Sequence, residues 1–132
     1  MLIHPLIVHF PLALWLTSAL FDILAWGRDD PMYRRAACWL VGLGLLGAAA
    51  SIAFGWLDLL DQERQGVGTG LLLRHRVHSL VAYLATAVYL ANFLWRWRTK
   101  NRVAGILLGL SLAGAILIAV TGYLGGALRD VM

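Results

Sequence analysis

The chain has 132 residues, 61% of them hydrophobic and only 14% charged. Soluble globular domains carry about 25% charged residues, so a single domain integral to a membrane is expected, with the lipid bilayer as its first partner. The net charge of +4 does not mark a nucleic-acid binder, because the basic residues cluster between apolar runs and not along one face.

In chain order, four apolar runs are long enough to cross a bilayer, which needs about 20 helical residues. They cover residues 5–26, 36–60, 77–95 and 103–128. Helices are required, since an open strand in lipid leaves its backbone unsatisfied. The fold class is therefore an all-α integral membrane four-helix bundle. The connections at 27–35 and 96–102 are short, while Asp61–Arg76 reads as a longer polar loop. No basic stretch precedes the first run, so it is expected to be retained and not cleaved as a signal. Cys38 is the only cysteine, which excludes an internal disulfide.

Lys and Arg counts set the orientation. Arg28, Arg34 and Arg35, with Arg96, Arg98, Lys100 and Arg102, outnumber Arg64, Arg74, Arg76 and Arg129 on the other side. The first and third loops are thus expected in the cytoplasm, with both termini outside it. Trp26, Trp39, Trp95 and Trp97 form an aromatic belt at the cytoplasmic interface.

The two halves resemble each other. A shift of 67 residues lays Gly42, Gly47 and Gly55 on Gly109, Gly114 and Gly122, and a shift of 69 lays His9, Ala13, Thr17 and Trp26 on His78, Ala82, Thr86 and Trp95. Two duplicated hairpins follow, with His9 and His78 expected at equal depth, facing each other across the bundle.

All four histidines fall at one end of the bundle, together with Asp58. A bundle-facing histidine in a membrane is a candidate site. Two imidazoles from facing helices suit a b-type haem. His9 and His78 are then the axial ligands, Gly55 and Gly122 give a flat slot, and Arg74 and Arg76 meet the propionates. Phe10, Trp56, Tyr83 and Tyr123 are candidate walls. The competing chemistry is a zinc, copper or iron ion. His75 and His78 share a face at i, i+3, and His4, His9 or Asp58 completes an N/O set. The scattered Met1, Met32 and Met132 argue against a soft copper(I) conduit. His4 reads as a surface residue before Pro5, and Asp22 as a structural partner of Arg28, Arg34 or Arg35.

The opening HPLIVHFPLAL with Asp22, then Gly55-Trp56-Leu57-Asp58, the His75/His78 region and Gly122-Tyr123-Leu124-Gly125-Gly126 resemble a bacterial family of four-span membrane proteins, domain of unknown function 2231. Relatives often carry a further histidine after the last Gly-Gly, where this sequence has Ala127-Leu128-Arg129. The resemblance implies the fold, the bacterial inner membrane and a respiratory or redox setting.

The leading expectation is a small cytochrome b-like electron carrier with a bis-histidine haem b near the outer face and a respiratory or periplasmic redox partner. The alternatives are a His/Asp metal-binding membrane protein and a structural subunit of a redox complex. A stand-alone enzyme is not the expectation, and a homodimer is an open alternative.

Overall fold

The computed structural model describes residues 3–66, 68–102 and 104–129; Met1, Val103 and Met132 lie outside them. Among the described residues four helices follow one another: α1 (Ile3–Arg28), α2 (Pro31–Arg64), α3 (Thr69–Arg98) and α4 (Gly105–Arg129). All four are long and apolar enough to span a membrane. The expected fold class is what the chain adopts.

α1, α2 and α3 exceed the expected spans because their polar ends continue the same hydrogen-bond ladders, whereas α4 begins two residues later than expected. The expected loop at Asp61–Arg76 is the clearest correction. α2 runs on to Arg64, where the Gln65 side chain donates to Asp61 Oδ2 at 2.9 Å, and α3 begins at Thr69. Outside the apolar layer the backbone still gains by pairing internally, so only four residues separate the helices. At the other end Asp30 caps α2 by accepting from Met32 N at 2.8 Å, with Pro31 as its first residue. Both features favour a helix start.

α1 packs chiefly on α2 and α3 chiefly on α4, while α1–α4 and α2–α3 contacts close the ring. α1 and α3 therefore stand diagonally. The outer faces carry large apolar side chains such as Leu6, Leu46, Trp39 and Trp97, as lipid contact requires. Around the large buried side chains of Trp15, Tyr89 and Leu107 the interior holds small and polar residues, which is how membrane helices approach closely.

The duplication is present, but its register differs from the expected one. Trp15 stacks on Tyr89 with ring centroids 4.0 Å apart, and Asp22 pairs with Arg96. The members of each pair are 74 residues apart, as are Ser18 and Asn92, and His4 and His78. In α2 and α4 the matching offset is 70. Buried Ala37, Val41, Gly44, Ala48 and Ser51 correspond to buried Leu107, Ser111, Gly114, Ile118 and Thr121. Trp15 against Tyr89 and Asp22 against Arg96 are residues touching their own counterparts, so they lie on the pseudo-two-fold axis. That axis runs along the bundle, and at about 1.5 Å per residue the three layers at His4, Trp15 and Asp22 span about 27 Å.

A candidate metal centre at the histidine end

Helix geometry decides which histidines meet. His4 and His9 are five residues apart, so they point about 140° away from each other, and only one can face inward. It is His4. His9 is exposed and donates from Nδ1 to Pro5 O at 2.5 Å within its own helix. The expected pairing of His9 with His78 is therefore not made.

His4 and His78 are seated alike. A Cβ added at Gly55 on α2 would lie 3.1 Å from His4 Cε1, and one at Gly125 on α4 would lie 3.1 Å from His78 Cε1. Each ring also engages the main chain of the helix it packs on, His4 at Ser51 and His78 at Thr121. The hydroxyls of Ser51 and Thr121 are turned away, donating at 2.8 Å to Gly47 O and Leu117 O. Gly55 thus makes room as expected, but for the histidine ring itself and not for a flat ligand. Gly125, and not Gly122, is its counterpart; Gly122 faces Leu12.

His75 lies one turn before His78, is buried, and stacks with it at 6.4 Å between ring centroids and 13° between planes. Asp58 of α2 is within electrostatic reach of both His4 and His75. The Nδ1 atoms of His4, His75 and His78 are all buried without a hydrogen-bond partner among the described residues. A buried polar atom left unmatched costs about 1–3 kcal/mol, so three at one end of one bundle call for a ligand or water to pair them. The described residues contain no three of these side chains already gathered around one point.

The remaining expected site residues are peripheral. Arg74 is exposed, and Arg76 is exposed in an ion pair with Glu63 at 4.0 Å. Trp56 donates to Tyr83 OH at 2.5 Å beside a groove of about 440 Å³ on the outer α2–α3 face. Phe10 and Tyr123 are exposed. These aromatic residues line the outside of the bundle and do not wall a central slot.

At the opposite end a polar layer emerges that was not expected as such. Asp22, Asn92, Arg96 and Ser111 are fully buried. Arg96 Nη2 and Ser111 Oγ both donate to Asp22 Oδ2. Arg96 Nε donates to Asn92 Oδ1 at 2.7 Å, and Asn92 Nδ2 to Ser111 Oγ at 2.9 Å. Asp22 forms an ion pair, but its partner is Arg96 and not the expected Arg28, Arg34 or Arg35. Asp22, the one acid inside the first apolar run, was the available signal; Arg96 stood among the four basic residues of the 96–102 connection and was not marked out.

A family model described as predicted membrane protein (DUF2231) matches residues 2–132. No curated protein and no solved structure matches the chain.

Proposed function

The chain belongs to the DUF2231 family of predicted membrane proteins, and on that premise we propose that its histidine end binds a transition-metal ion. His4, His75 and His78 supply imidazole nitrogen and Asp58 supplies carboxylate oxygen, a donor set suited to zinc, iron or copper(II). The observation that carries this reading is the presence of three buried, unmatched Nδ1 atoms, from two helices, at one end of the bundle. Two imidazoles on one tetrahedral ion have ring centroids about 5 Å apart, given bonds of about 2 Å. His75 and His78 stand at 6.4 Å, so the two rings must turn toward each other to share an ion.

The pseudo-symmetry favours a second reading. His4 and His78 are counterparts on diagonal helices, the placement of axial ligands of a haem b iron, and electron transfer is then the role. The flat slot this needs must open between rings now seated on Gly55 and Gly125, which ranks it second. Lys and Arg counts put the histidine end outside the cytoplasm in either case, with the inner membrane as the location.

Elemental analysis and a visible spectrum of the purified full chain decide between them. The metal reading expects about one equivalent of a first-row ion, no Soret band, and loss of the ion in His4→Ala and His78→Ala. A Soret and α-band lost in the same variants would establish haem instead. A colourless, metal-free protein that takes up neither on reconstitution would remove both.

A further inference from the structure

At the end opposite the histidines the two short connections enclose a cleft of about 910 Å³, with Arg34, Arg35, Lys100 and Arg102 in its walls. Among the described residues that line it Asp29 is the one acid, and it is held by Arg34 at 3.1 Å. Among the described residues no ion pair neutralises Arg35, Lys100 or Arg102. Arg34 and Arg35 sit at the start of α2, and Lys100 and Arg102 in the turn after α3. Asp29, Lys100 and Asn101 adopt left-handed backbone conformations, and Asn101 N closes the end of α3 by donating to Arg96 O at 2.8 Å.

We propose that this cleft binds the phosphate headgroup of an anionic phospholipid. Three cations without an acidic partner around one concavity leave a net positive site that a phosphodiester would neutralise. Its position argues for a lipid over a soluble anion. The cleft lies where the apolar helices end, and Trp26 lines it with its indole more than half exposed, as aromatic residues stand at headgroup level. Basic pockets between transmembrane helices are known headgroup sites. Arg34 and Arg35 belong to the α1–α2 hairpin and Lys100 and Arg102 to the α3–α4 hairpin, so one headgroup bridges the two halves.

The test is native mass spectrometry of the full chain in mixed micelles of phosphatidylglycerol and phosphatidylcholine in equal amounts. The expected result is preferential retention of phosphatidylglycerol. Each neutralised cation should weaken that binding about fivefold, so Arg35→Gln/Arg102→Gln should reduce it about 25-fold, while Arg74→Gln at the far end leaves it unchanged. Circular dichroism of the double variant checks that the helices persist. No preference between the lipids, or a preference unaltered in the double variant, would overturn the proposal. Displacement of the lipid by millimolar inorganic phosphate would overturn the lipid assignment in favour of a free anion.

Discussion

Replacing Gly44 by alanine should damage the bundle more than the same change at Gly114 or Gly109. A Cβ at position 44 would lie 2.1 Å from Trp15 Nε1 and 2.4 Å from its Cδ1, where ordinary contact begins at 3.4 Å. The indole must therefore retreat by about 1.3 Å, an overpacking cost of about 1–3 kcal/mol. Trp15 is fully buried, stacked on Tyr89, and donates to Val41 O at 3.2 Å. Retreat breaks that bond, and a buried donor left unmatched adds about 1–3 kcal/mol. The gain in helix propensity from Gly to Ala returns about 1 kcal/mol, leaving a net loss of about 1–5 kcal/mol. At Gly114 the Cβ would meet Tyr89 Cζ at 2.8 Å, a smaller conflict, and at Gly109 nothing lies within 4 Å. Reversible unfolding in mixed micelles, followed by circular dichroism, should rank the variants G44A least stable, then G114A, with G109A at or above the unmodified protein. Equal stability of G44A and G109A would refute the axial Trp15–Tyr89 layer.

Three further outcomes follow from the same geometry. Asp22→Ala and Arg96→Ala should each cost about 3–5 kcal/mol, the penalty for stranding one buried charge, and the double variant should cost far less than their sum; additive losses in a double-mutant cycle would deny the coupling. His9→Ala should leave metal content unchanged and shift stability by less than about 0.5 kcal/mol, whereas His4→Ala should abolish stoichiometric metal, both read by elemental analysis. Gly55→Ala and Gly125→Ala should move the His4 and His78 rings by a few tenths of an ångström, beyond the ±0.2 Å that metal bonds tolerate. A loss of about tenfold in affinity, measured by cobalt(II) titration, is expected for each.

The sequence carries the four helices, the one-sided histidines and the fact of duplication, because hydropathy and residue counts report on bilayer physics directly. It does not carry the register, and the reason is chemical. Matching identical residues aligns His9 with His78, yet the true counterparts are complementary: Trp15 with Tyr89, Ser18 with Asn92, Asp22 with Arg96. A residue on a symmetry axis meets its own counterpart, so an acid there calls for a base and not for a second acid. The slip of five residues in α1 turns the helix by about 140°, which exchanges His9 for His4 as the inward ligand. In α2 the slip is three residues, about 60°, so Gly55 stays in the site while its counterpart moves from Gly122 to Gly125. The helical angle between His4 and His9 was itself legible, and it already forbade both from facing inward.

The most direct test of the metal-centre proposal is X-ray absorption spectroscopy of the full chain loaded with one equivalent of zinc. A shell of three imidazole nitrogens at about 2.0–2.1 Å is expected, reduced in His4→Ala, His75→Ala and His78→Ala and intact in His9→Ala. A spectrum without an imidazole shell, or one that changes only with His9, would contradict it.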